Sequence, residues 1–315
     1  MDNLHWLEDP DLRRPVLIQA FAGWNDASAV ATTALRFLID RWEAPKFADV
    51  DAENFYNFAR VRPHVRLDDD QNRVIVWPEN AFHFHLEPGL DRDFVLLIGI
   101  EPNLRWRTFG EMIIEVCQKI GVTSVLSLGG LVAQVPHTVP PRVTGTTSDP
   151  ELATQFPELQ VQRSRYQGPT GIVGVMSDMF AKAGIPTGSL WGNVPHYISA
   201  SPNPKVAHGL LTRLNSIYGL GLDLSDMQRA GRRFERQINE ALAQNPEVSE
   251  YVKKLEAGIE LGDEDEEPSV EVDQTSEEDS GPVDLPAGED IVRHLEEFLR
   301  QRREPDGGSG QDPRP

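Results

Sequence analysis

Four short polar clusters in this chain carry side chains capable of chemistry, and each follows an apolar run. Gly23, Trp24, Asn25 and Asp26 come after PVLIQAF (15–21); Glu101, Asn103 and Arg105 come after FVLLIGI (94–100). Gly129, Gly130 and, farther on, His137 follow TSVLSL (123–128), and Trp191, Asn193, His196 and Tyr197 follow a fourth run. Carboxylates and imidazoles are the ingredients of general acid–base catalysis, which also needs a nucleophile or an orienting carboxylate within hydrogen-bond reach. Spacing supplies no such partner for His137 or His196, each of which follows Val-Pro, so hydrogen bonding to nearby backbone is the simpler expectation. No GxSxG serine elbow occurs in the chain.

Three other groups bear on chemistry. FAGWNDA (21–27) is a glycine-bearing turn into a helix, an arrangement that can bind phosphate through free N–H groups and the helix dipole. It lacks the Lys and Ser/Thr of a P-loop and is not GxGxxG. Asp26 would compete for the same N–H groups, so a turn with its own cap is expected. His83 and His85 flank Phe84 and project to one side of a strand, as two metal ligands could. No third ligand is identifiable by spacing, and neither a metal nor a cofactor is assigned. Cys117, the single cysteine, lies in the apolar stretch IIEVCQKIG and reads as a buried structural thiol; its solitude rules out thiolate zinc sites and internal disulfides.

The elements that must position these clusters are legible from periodicity. Residues 15–21 predict a buried strand and ASAVATTALRFLID (27–40) a helix, with Asn25 or Asp26 as its cap. The run 94–100, a helix over 107–120 stopped by Gly121, and a strand over 123–128 repeat the design. Uninterrupted apolar strands joined by helices predict a mainly parallel sheet covered on both faces, a three-layer α/β fold. Ligands of such sheets gather beyond the carboxyl ends of the strands, so one rim would hold all four clusters. RVRPHVRL, RVIVWP and AFHFHL (within 59–86) predict shorter antiparallel strands. Helices are expected over 168–184 and from Pro204 to Gly219, and Ser225 with Gln228 suggests a capping box before the stripe Met227, Ala230, Phe234, Ile238 and Leu242. Val248, Tyr251, Val252 and Leu255 mark a second helix, so residues 222–259 are expected to form a helical hairpin appended to an α/β domain over 1–221.

Charge excludes two classes of partner. The chain has 315 residues with a formal net charge of -20, and residues 260–290 hold fourteen Asp or Glu and no Lys or Arg. Without those acids the rest carries about six net negative charges and no basic stripe, so neither nucleic acid nor an anionic membrane surface is an expected partner. No apolar run approaches the ~20 residues of a membrane span. The acidic start, MDNLHWLEDPDLRRP, has no secretory pattern, which points to a soluble cytoplasmic protein. Residues 260–288 are expected to be an acidic disordered linker, 289–303 a tethered amphipathic helix, and 304–315 a disordered tail.

Five segments, in order, resemble the proteasome assembly chaperone 2 family in its actinobacterial-type branch: FAGWNDASAVA (21–31), GIEPNLRWRTF (99–109), SLGGLVAQVPHTVPP (127–141), YQGPTGIVGV (166–175) and GSLWGNVPHYISASPNPK (188–205). The resemblance covers about residues 15–258. It implies a three-layer α/β domain similar to purine nucleoside phosphorylases, a C-terminal helical element, and a homo-oligomer. Eukaryotic members of the family are non-catalytic chaperones for the proteasome α ring, which makes proteasome α-type subunits the implied partner beside further copies of the chain. Some relatives dock through a C-terminal hydrophobic residue, tyrosine and final residue, whereas the last tyrosine here is Tyr251. Bacterial members are also labelled as ligases, but no flexible glycine loop with a nearby Lys, nor spaced acids for magnesium-ATP, is present. The expected function is a non-catalytic protein-binding factor. The alternative is a small-molecule-binding protein or enzyme that uses the rim for a nucleoside, nucleotide or carboxylate.

Overall fold

A computed structural model describes residues 3–147, 149–155, 160–161, 167–198, 200–243 and 246–260. The chain begins with β1 (Leu4–Trp6) and β2 (Val16–Ala22), turns into α1 (Val30–Arg41) and returns as β3 (Lys46–Val50). A strand pair, β4 (His64–Leu67) and β5 (Arg73–Val76), precedes β6 (Asn80–His85), β7 (Phe94–Ile100), α2 (Trp106–Lys119) and β8 (Ser124–Ala133). Then come β9 (Val143–Thr147), α3 (Pro150–Gln155), β10 (Gln160–Val161), α4 (Ile172–Lys182), β11 (Thr187–Pro195), α5 (Pro204–Tyr218), α6 (Ser225–Leu242) and α7 (Pro246–Glu260).

Nine strands form one sheet in the order β1-β3-β6-β7-β2-β8-β11-β9-β10. Its centre, β7-β2-β8-β11, is parallel, as the apolar runs and intervening helices predict. Around that centre β6 pairs antiparallel with β7 and β3, and β9 pairs antiparallel with β11. Alternate residues of each central strand feed two cores. Val16, Ile18, Ala20, Leu96 and Leu128 pack beneath α1 and α5, while Leu17, Phe21, Val95, Leu97 and Val125 pack beneath α2 and α4. The layers are therefore helix, sheet, helix.

Three local expectations need correction. Gly129 and Gly130 lie inside β8, and Trp191 and Asn193 inside β11, because the two strands pair in parallel register from Val125 opposite Thr187 to Ala133 opposite Pro195. That long ladder requires glycine at 129: Trp191 is its direct partner, and a Cβ on Gly129 would stand 2.1 Å from the indole ring. The capping box at Ser225 does not form; Leu224 holds the cap position, and the Ser225 N–H donates to the Asp223 carboxylate at 2.9 Å. The short strands expected within 59–86 are present, but only β6 joins the main sheet, and among the described residues β4 and β5 pair only with each other. Apart from Glu260, the expected acidic linker (260–288), amphipathic helix (289–303) and tail (304–315) lie outside the described residues. No helix among the described residues is long and apolar enough to cross a membrane.

Candidate functional site: the carboxyl rim of the sheet

At the end of β2 the backbone turns sharply, with Gly23 at φ +133° and Ser28 and Ala29 also at positive φ. Asp26 sits inside this turn, buried, and its carboxylate accepts from the N–H of Ala31 at 2.6 Å and of Thr32 at 3.3 Å and from the Thr32 hydroxyl at 2.5 Å. The first turn of α1 is thus capped from within, occupying the N–H groups a phosphate would need. Burial pushes the Asp26 carboxyl above its ordinary range, against the opposing effect of the Thr32 hydroxyl and the two backbone donors. Glu101, at the end of β7, does similar work across the rim. It accepts from the N–H of Ile172 at 2.7 Å, the start of α4, and from Trp24 N–H at 3.4 Å. Asn25 ties β2 to β8 through its carbonyl, which accepts from Gly130 N–H at 2.9 Å. Gly130 permits that approach, since a Cβ there would stand 2.5 Å from Val30 and 2.9 Å from the Ala27 carbonyl oxygen.

The second group joins the sheet to the C-terminal helices. His137, beyond β8, and Tyr197, beyond β11, are both buried. The Tyr197 oxygen accepts from the His137 backbone N–H at 2.8 Å and lies 2.8 Å from His137 Nδ1, so its own hydrogen goes to Nδ1. Nε2 then carries the imidazole proton and donates to Asn239 Oδ1 of α6 at 2.9 Å. Lys205, in the first turn of α5, donates to the His137 carbonyl and pairs with Glu235 of α6 at 3.0 Å. The Thr138 hydroxyl donates to Glu256 of α7, and His196 Nε2 meets the Tyr251 hydroxyl of α7 at 3.1 Å. The rings of His137, Tyr197, His196 and Tyr251 stack edge to face around a small core of Ile198, Ile238, Leu242, Val248 and Val252. Desolvation lowers the pKa of His137 despite the bond to Asn239, and it lowers that of His196. Both imidazoles are built to be neutral.

Most of the residues read from the sequence reach the carboxyl rim, whereas Gly129 and Trp191 face each other in mid-strand, and those at the rim form two separate groups. Gly23, Trp24, Asn25, Asp26, Glu101 and Gly130 surround the starts of α1 and α4; His137, His196 and Tyr197 face α6 and α7. Asn103 and Arg105 join neither: Asn103 accepts from Asn57 N–H at 3.0 Å, and Arg105 takes a left-handed conformation at the start of α2. Trp191 donates its indole N–H to Ser189 at 3.0 Å, and the buried Asn193 donates its backbone N–H to the carbonyl of Arg142, just before β9, at 3.0 Å. The partners Lys205, Glu235, Asn239, Tyr251 and Glu256 were not anticipated. One signal existed: Glu235 and Asn239 are four residues apart on α6, flanking the stripe position Ile238, so they share the face beside the seam.

Other candidates are absorbed by structure. His83 Nδ1 lies 2.9 Å from the Ala44 carbonyl oxygen, and His85 stacks on Trp42 at 4.3 Å. Cys117 is buried, and burial pushes its thiol up to about 12. Among the described residues no three His, Cys, Asp or Glu side chains converge on a metal position. A cavity of ≈ 80 Å³, lined in part by Arg14, Thr123, Ser124 and Pro186, opens at the opposite, amino end of the parallel strands. It is well below the roughly 300–1,000 Å³ of small-molecule pockets.

A three-layer α/β domain with a helical pair sealed onto its carboxyl rim by neutral histidines defines the class of protein, and the comparisons give its family. The PAC2 family pattern matches residues 20–242, and the chain belongs to that family. It is similar to the crystal structure of a PAC2 family protein from Streptomyces avermitilis, with 40% identity over 76% of this chain and 99% of the other, at a TM-score of 0.69. A proteasome-assembly chaperone homologue from Mycobacterium tuberculosis is also 40% identical, covering 75% of this chain and 99% of that one, with a TM-score of 0.67. An archaeal proteasome activator from Pyrococcus furiosus shares the fold at 18% identity and a TM-score of 0.63, over 76% and 99% of the two chains. No curated protein matches this chain.

Proposed function

We propose that this chain is a non-catalytic protein-binding factor of the proteasome-assembly-chaperone kind and that the carboxyl rim of the sheet is its partner surface. One observation carries the reading. The rim's carboxylates and its rim imidazoles are engaged in internal bonds, whereas apolar side chains on the same rim face solvent: Trp24 is 46% exposed, Leu104 49% and Val132 63%. They end three neighbouring strands, β2, β7 and β8, and exposed apolar groups so placed suit a protein partner better than a substrate that needs polar orientation. The description of the Mycobacterium relative as a proteasome-assembly chaperone homologue supports a proteasome subunit as that partner, and the α-type subunits are the form of it we put to the test. Self-association and a cytoplasmic setting belong to the same proposal and rest on the family relationship.

Mixing the purified chain with α-type subunits at micromolar concentration and weighing the products by native mass spectrometry tests it. A defined complex is expected, weakened by about tenfold or more when Trp24→Asp and Leu104→Asp are combined, the usual scale for loss of an apolar anchor. Absence of any complex with the unsubstituted chain contradicts it. A second reading has one observation in its favour. Asn25 Oδ1, Asn193 Oδ1 and His196 Nδ1 are buried on this rim and have no hydrogen-bond partner among the described residues, which a small polar ligand could supply. That reading requires ligand-dependent stabilisation, and a flat thermal-shift response across nucleosides, nucleotides and carboxylates removes it.

A further inference from the structure

The pair β4–β5 is anomalous. It forms a two-stranded sheet of its own, every residue of both strands is exposed, and among the described residues its outer edges pair with nothing. An isolated hairpin is marginal in water, and an open edge is a template for another strand. At the turn the Asp68 N–H donates to the Asn72 carbonyl at 3.0 Å. Opposed pairs in an antiparallel ladder alternate between bonded and unbonded, so from that turn Arg66 with Val74 and His64 with Val76 are the bonded pairs. The N–H and carbonyl groups of Val65 and Leu67 on β4, and of Ile75 on β5, therefore point outward, away from the other strand of the hairpin.

Charge tells the two edges apart. Arg60 and Arg62 precede β4 and Asp68, Asp69 and Asp70 follow it, and among the described residues none of them forms an ion pair. β4 thus runs from basic to acidic, and a second β4 laid antiparallel sets each basic end beside an acidic one. The edge of β5 lacks that polarity: its base is Arg73, and the next acid along the chain, Glu79, is held by Lys46 at 2.5 Å. The register follows from the same groups. With Val65 opposite its own counterpart, the Val65 N–H meets the Val65 carbonyl and the Leu67 N–H meets the Pro63 carbonyl of the second copy, while Arg62 falls opposite Asp68 and His64 opposite Arg66. The charged residues then share one face, and Val65 and Leu67 lie on the other. Centring the register on Arg66 would oppose that arginine to itself, and centring it on His64 would oppose Arg62 to Arg66; like charges directly opposed are destabilising.

We propose that β4 pairs antiparallel with β4 of a second copy of this chain about a twofold axis at Val65, joining the two hairpins into one four-stranded sheet. Main-chain bonds between the open edges supply affinity, and the basic and acidic ends set direction and register. The patch is self-complementary, so the assembly closes at two copies. The contact is short beside the roughly 1,200–2,000 Å² of a stable interface, which makes the dimer reversible. The proposal rests on the self-association included in the proposed function, names its surface, and does not use Trp24, Leu104 or Val132.

Sedimentation velocity of the full chain at pH 7.5, from about 1 to about 300 μM, tests this by following a monomer–dimer equilibrium. Val65→Pro removes an outward N–H and no bond of the β4–β5 ladder, and Ile75→Pro does the same on the other edge. Dimerisation is expected to weaken by about tenfold or more in Val65→Pro and to stay unchanged in Ile75→Pro. Charge supplies a second pair of variants that leaves the strand backbone alone. Arg60→Glu/Arg62→Glu and Asp69→Arg/Asp70→Arg are each expected to dimerise about tenfold more weakly, and an equimolar mixture of the two to regain the unsubstituted affinity as a mixed dimer. A mixture no tighter than either variant alone overturns the proposal, as does an equal loss in Ile75→Pro. Dimerisation unaffected by Val65→Pro and by both charge variants also overturns it, while leaving self-association to another surface. A chain that stays monomeric throughout overturns it together with the self-association on which it rests.

Discussion

Two hairpins stand on one rim and are held there very differently. The helical pair α6–α7 contributes an apolar stripe to a small core, and its polar residues Asn239, Glu235, Tyr251 and Glu256 each meet a group presented by the sheet or by α5. The strand pair β4–β5 has a comparable supply of apolar side chains, but Val65, Leu67, Ile75 and, just after β5, Trp77 stay about half exposed, the Trp77 ring meeting that of Phe58 at 5.0 Å. Apolar content alone does not dock an appendage. Docking here needs a stripe that matches a core and polar groups that fix its register, and α6–α7 has both.

The contrast is broken most directly at Tyr197, which is 1% exposed and serves both roles. Tyr197→Ala removes a large buried ring and leaves His137 Nδ1 and its backbone N–H without their partner, so a loss of about 3–5 kcal/mol in urea unfolding is expected, with faster amide exchange across α6 and α7. The milder Tyr197→Phe keeps the ring and deletes only the hydroxyl; a cost of about 1–3 kcal/mol is expected in the same assay. Acid sharpens the comparison. His137, His196 and His208 all have pKa values lowered by desolvation, and like charge from Lys205 and Arg232 adds to this at His137 and His208 respectively, while Glu235 and Glu256 act in the opposite direction on His137. The unfolded chain therefore binds more protons than the folded one below about pH 6.5, and the stabilisation present above that pH is lost as pH falls through the lowered values. Each such histidine contributes a slope of up to about 1.4 kcal/mol per pH unit, so the protection of α6–α7 amides, taken relative to their intrinsic exchange rate at each pH, is expected to fall between pH 7.5 and 5.5 before that of β4–β5 changes.

The cap at Asp26 lies in the other half of the rim. Asp26→Ala is expected to cost about 1–2 kcal/mol in thermal or urea unfolding, the range for losing a helix cap, and to leave α6–α7 exchange untouched. The smallest effect is expected in the strand hairpin: Ile75→Thr should shift global unfolding by no more than about 0.5 kcal/mol, because the residue is 49% exposed and outside both main cores.

Much of the architecture was legible because period and polarity agree with the final packing. The run at 94–100 is wholly apolar, and that at 16–22 is apolar except for Gln19, which donates to Ser127 within the sheet, because helices cover both faces; Gly121 and Gly184, both at positive φ, end their helices where expected. Strand ends were less legible. Glycine and tryptophan at 129 and 191 look like loop residues in one dimension, and only the register that sets one over the other explains them inside strands. The candidate residues were visible by type and place, but their partners were not. His137 meets Asn239 across 102 positions of sequence, and Glu101 meets Ile172 across 71, separations that no local pattern encodes. Their roles were hidden for the same reason, since a carboxylate capping a distant helix and one awaiting a substrate read alike in sequence.

The central claim is that the rim's histidines serve to fasten the helical pair. A double-mutant cycle of His137→Ala and Asn239→Ala, followed by urea unfolding at pH 7.5, tests it most directly. The account predicts a coupling of about 1 kcal/mol or more, the range for contacting residues in a shared network. Strict additivity, with α6 and α7 exchanging in His137→Ala as in the unsubstituted chain, would contradict it.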